Sequence, residues 1–298
     1  MQITSNYISL RAVKNILMPV IQTKKELRDN LSGGFSSSKT LGLVPTMGAL
    51  HLGHISLIEK AVKENDIVVV SIFINPTQFN NREDLEKYPK TLDNDLQLIN
   101  VVSDNIIVYT PSVNEIYSDK IQAETYNFNG LDSVMEGEFR EGHFNGVGTI
   151  VEELLTSIKP DKAYFGEKDF QQLQIIRKLV ELKKIPVQII GCPIVREKNG
   201  LAMSSRNERL SKELRNEASF IYKTLKEAKI KFGTKSALEV VNWVENQFKQ
   251  NKKLKLEYFQ IADINTLKAI KRKSKNKKYR AFIAVFADDI RLIDNIAL

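Results

Sequence analysis

Two apolar runs, Leu41 to Pro45 and Ile67 to Ile74, flank a segment in which Leu57, Ile58, Ala61 and Val62 recur at helical spacing. No other feature constrains the fold as much. Strand, helix and strand over so short a span form a βαβ unit, and its two strands run parallel because the helix carries the chain back to the same end of the sheet. Strand candidates at Ile106 to Tyr109, Lys162 to Phe165 and Val187 to Gly191 alternate with helical patterns at Thr91 to Val101, Gly146 to Ser157 and Phe170 to Leu182. Residues 1–194 are therefore expected to form an α/β domain, a Rossmann-like doubly wound parallel sheet.

After Asn199 and Gly200 the pattern changes. Leu214, Ala218, Ile221, Leu225 and Ala228 mark one amphipathic helix with Gly233 as its stop signal, and Val240, Val241, Val244 and Phe248 mark a second. Strand-like runs at Leu256 to Ala262 and Ala281 to Phe286 follow, so residues 195–298 are expected to be a smaller C-terminal α+β domain closing over the site. Gly33 to Ser38, GGFSSS, reads as a flexible loop before the first strand.

In a doubly wound sheet, ligands bind beyond the carboxyl ends of the strands, so chemistry is expected just after Val44, Ile74 and Phe165. The first of these positions opens Pro45 to His54, PTMGALHLGH, where helix N–H groups and the helix dipole favour phosphate. His51 and His54 share a face of the starting helix, with Gly53 allowing close approach, and two imidazoles there can donate to one polyphosphate. The competing reading is that one histidine caps the helix and the other packs. The chain has only 3 histidines, and two of them falling in this loop favours the site.

The second position opens Ser71 to Phe79, SIFINPTQF, in which Gln78 both donates and accepts, as a ligand bearing hydroxyl and carboxylate groups requires; a turn built on Asn75 and Pro76 is the alternative. The third opens Tyr164 to Leu173, YFGEKDFQQL. Here Lys168 suits phosphate and Asp169 a ribose hydroxyl, although Asp169 with Gln172 also makes a helix-capping arrangement. Leu201 to Asn207, LAMSSRN, offers two hydroxyls and a guanidinium for a β,γ-diphosphate, or a Ser-Arg loop capping the next helix.

HLGH resembles the HxGH element of the adenylyl-transferring nucleotidyltransferase superfamily, and the wider PTMGALHLGH resembles the pantoate–β-alanine ligase (pantothenate synthetase) family. GEKDFQQL, the Ser204 loop as a counterpart of the KMSKS loop, EFREGHFNGV from Glu138 to Val147, and the terminal RLIDN are similar to segments of that family in the same order. Thr77 stands where methionine is expected, and Glu141 where proline is also common.

The resemblance implies an ATP-dependent ligase that condenses pantoate with β-alanine through pantoyl adenylate, releasing AMP and pyrophosphate. It implies ATP contacts at Met47, Gly48, Ala49, Leu50, His51, Leu52, Gly53 and His54, at Gly166, Glu167, Lys168 and Asp169, and at Val195, Met203, Ser204, Ser205 and Arg206. Among these, His51, His54, Lys168, Ser204, Ser205 and Arg206 would absorb charge developing on the phosphates. Pro45, Met47, Asn75, Gln78, Tyr88, Arg140, Val147, Val151 and Gln172 would hold the organic substrates, with Arg140 on the β-alanine carboxylate and Asn75 also toward β-alanine. Mg²⁺ would enter as Mg-ATP, bound chiefly by ATP oxygens, with Asp95 a candidate protein contributor at a site that the neighbouring Asn94 weakens. A homodimer is also implied.

Composition bounds the remaining classes. Among 298 residues with 42% hydrophobic and 27% charged, no apolar run is long enough to cross a bilayer, and no signal-peptide pattern opens the chain. Cys192, the 1 cysteine, has no thiol partner within the chain, which suits a reducing cytoplasm. The net charge of +8 suits anionic substrates, and it also raises an RNA-binding alternative through Leu267 to Arg280, LKAIKRKSKNKKYR. That run is expected to be a solvated loop, with no nucleic-acid or membrane partner. A nucleotidyltransferase acting on a phosphorylated cofactor precursor is the rival enzyme, but it would leave Gln78 and Gln172 without a role.

Overall fold

The structure, a computed structural model, describes residues 18–33, 39–117 and 120–298. Apart from Gly33, the Gly/Ser-rich run lies outside the described residues. In chain order the elements begin β1 (Val20–Ile21), α1 (Lys24–Gly33), β2 (Leu41–Thr46), α2 (Leu52–Glu64), β3 (Ile67–Ile72), α3 (Arg82–Glu86), α4 (Leu92–Asn100), β4 (Ile106–Tyr109) and α5 (Val113–Tyr117). They continue α6 (Glu136–Phe139), α7 (His143–Ile158), β5 (Lys162–Gly166), α8 (Phe170–Lys183) and β6 (Gln188–Cys192). The last are α9 (Lys212–Glu217), α10 (Ser219–Thr234), α11 (Ala237–Gln250), β7 (Leu254–Asp263), β8 (Tyr279–Ala287) and β9 (Ile290–Ala297).

The chain packs as two compact units that are not two consecutive stretches. The first comprises the described residues up to Tyr126 with Gly142–Phe165 and Ile176–Cys192; the second comprises Asn127–Glu141, Gly166–Ile175 and Pro193–Leu298. The sequence pattern suggests one boundary after residue 194. The long C-terminal stretch of the second unit begins at Pro193, and Asn127–Glu141 and Gly166–Ile175 join it from earlier in the chain.

The first unit holds a 6-stranded sheet in the order β1-β4-β3-β2-β5-β6, with parallel registers for β1/β4, β4/β3, β3/β2 and β2/β5. Its strands are apolar on both faces because helices cover both, as Val68, Val69 and Val70, all buried, show for β3. α2 buries Ile55, Leu57, Ile58 and Ala61 against this sheet. The two-residue β1 at the edge has too little pattern to be read from sequence.

From β2 the chain builds outward through β3 and β4, then crosses to the other side for β5 and β6, so β2 and β5 flank the topological switch point. β2 pairs with β3 along its length, Leu41↔Ile67 to Thr46↔Ile72. With β5 it pairs at Gly42↔Lys162 and Leu43↔Ala163, where the register stops. Pro45 helps to end it. The Leu41 carbonyl accepts from Asp161 on the β5 side and the Thr46 carbonyl from Phe73 on the β3 side. Alternation therefore turns Pro45, which has no N–H, toward the side from which β5 has parted.

The second unit is a 3-stranded antiparallel sheet, β7-β8-β9. One face packs on α10 and α11 through Phe259, Ile261, Ile283, Val285 and Leu292 against Ile221, Leu225, Val240 and Val244. The other face is covered by the inserted segments, with Phe170 against Phe282 and the Arg280 guanidinium 4.0 Å from the Phe170 ring. That double cover explains why nearly every residue of β8 is buried. The single helix expected around Ala218 is two that meet at that residue, and the terminal RLIDNIAL supplies a third strand that sequence pattern alone did not delimit.

Candidate active site

In the first unit the turn leaving β2 is held in an uncommon backbone conformation. Gly48 and Ala49 have φ of 80° and 49°, in the left-handed region that glycine tolerates and alanine adopts only under constraint. The constraint is Asp95, 1% exposed on α4. Its carboxylate accepts the N–H of Ala49 at 2.9 Å, the N–H of Leu50 at 2.8 Å and the Thr91 hydroxyl at 3.1 Å. Burial pushes this carboxyl up from its ordinary range, against the Leu50, Thr91 and Ala49 donors that favour the ionised form. A Cβ on Gly48 would stand 3.0 Å from Asp95 Oδ2 and 3.2 Å from Ile72 Cγ2, so the residue is fixed by space as well as by φ. Both Asp95 oxygens thus accept hydrogen bonds from the loop or from Thr91, which makes Asp95 the organiser of the loop.

The two histidines cap α2 reciprocally. His51 Nδ1 accepts from the Gly53 N–H at 3.1 Å, and His54 Nδ1 accepts from the His51 N–H at 3.3 Å. Their rings stack with centroids 4.0 Å apart. Because each Nδ1 is an acceptor, a neutral ring carries its proton on Nε2. Capping and donation are therefore compatible: one nitrogen of each ring builds the helix start and the other holds an N–H.

Beyond β3, Pro76–Gln78 forms a short 3₁₀ turn. Asn75, 1% exposed, donates to Gln78 Oε1 at 3.2 Å and to the Gly146 carbonyl at 3.0 Å, while its Oδ1 accepts from the Thr77 hydroxyl at 3.1 Å and from the Tyr117 hydroxyl. Both amide hydrogens of Asn75 are thereby engaged in holding the turn. The Thr77 hydroxyl thus meets Asn75 and Tyr117, contacts that a methionine at this position would lack. The third histidine, His143, bonds the Gln78 carbonyl at 2.7 Å through Nδ1, which must donate because a carbonyl only accepts. Gln78, Tyr88, Val147 and Val151 are all buried in this unit, and Pro45 and Met47 lead into its loop.

In the second unit the turn Glu167–Asp169 follows Gly166, with Lys168 Nζ 3.6 Å from Asp169 Oδ1 and Gln172 half-buried one turn into α8. Arg140 lies 3.6 Å from Glu136. Glu136 is buried; burial alone would raise its pKa, but Arg291, Arg140 and Tyr258 bring it down to about 2. A short hairpin bridges Arg196 to Ala202, and the Met203 N–H donates to the Val195 carbonyl at 3.0 Å. The hairpin delivers Ser204, which caps the 3₁₀ turn Ser205–Arg209 by accepting the Arg206 N–H at 3.3 Å. Ser205 is buried.

The candidate residues divide between the two units. Pro45, Met47 to His54, Asn75, Gln78, Tyr88, Val147 and Val151 belong to the first; Arg140, Gly166 to Asp169, Gln172, Val195 and Met203 to Arg206 belong to the second. Sequence reasoning did not find Glu136, Arg196, Arg280, Asp294 or Asn295 as supports. Arg280 closes the basic run, directly before the apolar run of β8, which concealed it among solvated charges. The basic run is partly structural: Lys273 donates to the carbonyls of Phe232 and Gly233, Lys277 approaches Asp263, and Arg280 pairs with Glu167 at 3.0 Å. Among the described residues no helix is long and apolar enough to cross a membrane.

A family model described as Pantoate-beta-alanine ligase matches residues 19–297. The pantothenate synthetase of Christiangramia forsetii is 60% identical over 281 residues, covering 94% of this chain and 99% of the relative. That of Flavobacterium psychrophilum is 54% identical over 281 residues, covering 94% and 100%. Among solved structures, pantothenate synthetase from Thermus thermophilus superposes with a TM-score of 0.86 at 36% identity, covering 94% of this chain and 99% of that one. The Francisella tularensis pantoate-beta-alanine ligase, complexed with beta-gamma ATP and beta-alanine, superposes with a TM-score of 0.77 at 36% identity, covering 94% and 97%.

Proposed function

The chain belongs to the pantoate-beta-alanine ligase family, and from that premise we propose a reaction in two steps and a residue for each task. The protein is a ligase that joins pantoate to β-alanine using ATP, with AMP and pyrophosphate as the other products. The observation that carries the site assignment is the reciprocal His51–His54 cap on the turn that leaves β2 at the switch point.

A carboxylate does not acylate an amine unaided, because oxide is too poor a leaving group. In the first step a pantoate carboxylate oxygen attacks the α-phosphorus of ATP; the bond from that phosphorus to the bridging oxygen breaks, and pyrophosphate departs. The Nε2–H groups of His51 and His54, Lys168 Nζ, the Ser204 and Ser205 hydroxyls and the Arg206 guanidinium take the charge that accumulates on the phosphate oxygens. The backbone from Met47 to Gly53, Gly166 to Asp169, Val195 and Met203 cradles the nucleotide. In the second step the neutral amine of β-alanine attacks the acyl carbon, AMP leaves with the electron pair of the C–O bond, and the amine proton passes to solvent. Gln78, Tyr88, Val147, Val151, Gln172 and Pro45 hold pantoate, and Arg140 holds the β-alanine carboxylate. Asn75 acts by fixing the Gln78 turn. Catalysis here is alignment and charge stabilisation with no covalent enzyme intermediate.

Mg²⁺ arrives on the triphosphate as part of the substrate. An ion of this kind keeps several waters and is held mainly by the ATP oxygens. We further place the reaction in the cytoplasm, where ATP is supplied, and the protein as a homodimer, which sedimentation of the purified chain tests.

The deciding assay incubates the protein with ATP, Mg²⁺, pantoate and β-alanine and follows AMP. Release that requires both organic substrates is the expected outcome. AMP formed without either one would overturn the ligase assignment, and a steep salt-dependent affinity for RNA without turnover would favour the RNA-binding alternative.

A further inference from the structure

The terminal RLIDN motif lies on β9 and has no direct task in the mechanism above, yet three of its side chains reach the three segments of the second unit that carry substrate residues. We propose that β9 is the positioning strand of this unit, with Asn295 and Asp294 setting the two phosphate-binding segments for adenylation and Arg291 setting Arg140 for β-alanine capture. The proposal rests on the residue assignments under Proposed function.

Asp294 and Asn295 are adjacent and both nearly fully buried, at 4% and 2% exposure, so strand alternation sends them to opposite faces of the sheet. Asn295 Nδ2 donates to the Glu167 carbonyl at 2.9 Å and the Lys168 carbonyl at 2.8 Å, gripping the backbone of the Glu167–Asp169 turn. Its orientation is not arbitrary: Asn295 Oδ1 accepts from Arg280, whose other amino group donates to Glu167 Oε2 at 3.0 Å. An amide flip would face its carbonyl oxygen toward two carbonyls.

On the opposite face Asp294 receives Arg196 at 2.6 Å and 3.0 Å, a two-point pairing. The same guanidinium lies 3.6 Å from the centre of the Tyr222 ring and donates to the Gly200 carbonyl at 3.2 Å. These bonds fix both arms of the hairpin that delivers Met203 to Arg206.

Arg291 pairs with both oxygens of Glu136 at 2.7 Å and 2.8 Å, and also with Glu257. Arg140 approaches the same Glu136 carboxylate at 3.6 Å. Arg291 and Arg140 thus share one carboxylate, so the position of Glu136, set by Arg291, bears directly on where the Arg140 guanidinium sits.

Each residue should therefore govern one partial reaction. Asn295→Asp keeps an acceptor for Arg280 but replaces the donor by an oxygen facing two carbonyls. It should lower the kcat of pantoate-dependent ATP–pyrophosphate exchange by about 10²-fold, the scale of a misplacement near 1 Å. Arg291→Lys loses the two-point grip on Glu136 and should raise the KM for β-alanine about tenfold, with exchange within about twofold of the parent. Lys168→Ala is the reference, and circular dichroism with the thermal midpoint gives the folded fraction. If both β9 variants lose both partial reactions in step with folded fraction, β9 is merely structural and the proposal fails. Exchange lost in Lys168→Ala but kept in Asn295→Asp overturns the positioning role alone. Exchange kept in both overturns the assignment of Lys168 on which it rests.

Discussion

The carboxylate of Asp95 accepts the backbone N–H of Leu50 at 2.8 Å, and through this bond and its neighbour at Ala49 a buried side chain on α4 holds the turn that leads into the His51–His54 cap. Replacing it with asparagine offers one carbonyl oxygen where two acceptors are used and turns an N–H toward the Ala49 N–H. Asp95→Asn should destabilise the fold by about 2 kcal/mol, the cost of a buried donor left unsatisfied. It should also slow adenylation with the thermal midpoint only partly reduced. Unchanged exchange at full occupancy of the folded state would show that the loop does not depend on Asp95.

His54→Ala removes an N–H donor assigned to the phosphates and an acceptor for the His51 N–H. The donor is worth about 2 to 4 kcal/mol in the transition state, and the lost cap about 1 kcal/mol of stability. Stopped assays of pantoate-dependent ATP–pyrophosphate exchange, read beside thermal melts, separate the two costs. Near-parental exchange contradicts the phosphate role.

Gly146→Ala tests the packing of α7 on the 3₁₀ turn. A Cβ there would fall 2.3 Å from the Thr77 carbonyl oxygen and 2.6 Å from the Gln78 nitrogen, both backbone atoms with no rotamer to yield. The variant should lose about 3 kcal/mol, at the upper end of overpacking costs, and denaturant titration reads it. A wild-type midpoint would mean that the turn moves easily.

The Glu136 carboxyl sits at about 2 in the folded protein against an ordinary 4.5. A depressed carboxyl contributes stability that is fully present above its unfolded value and is lost as pH falls through its folded value. Stability should therefore decline between about pH 4.5 and 2, and Glu136→Gln should flatten that part of the profile while lowering stability at pH 7 by about 3 kcal/mol. Equal slopes for the two proteins in acid would remove Glu136 as the cause.

Much of the fold was legible because period is a local property. The spacing around Leu57 and Ile58 identifies α2, the run at Ile67 delimits β3 within two residues, and the strand at Ile106 to Tyr109 agrees residue for residue. The loops that carry His51, Gln78, Lys168 and Ser204 follow from where those elements stop. β1 escaped notice because two residues hold no period. The grouping of Asn127–Glu141 and Gly166–Ile175 with the C-terminal sheet escaped because these segments are recruited by Arg291, Arg280 and Asn295 from far along the chain.

Residue types at their spacings determined the parallel sheet, the phosphate-favouring helix start and, by resemblance, the ligase family. Tertiary structure alone decided what each polar group is committed to. Asp95, which by sequence is one acidic residue of a helix, braces a loop 46 residues away. Asn75, a candidate toward β-alanine by resemblance, is also the hub of a turn closed by Gly146 and Tyr117. The reason is physical: apolar burial is non-directional and leaves a repeat in the chain, whereas a buried hydrogen bond needs one partner at one distance and angle. That partner is chosen by the fold.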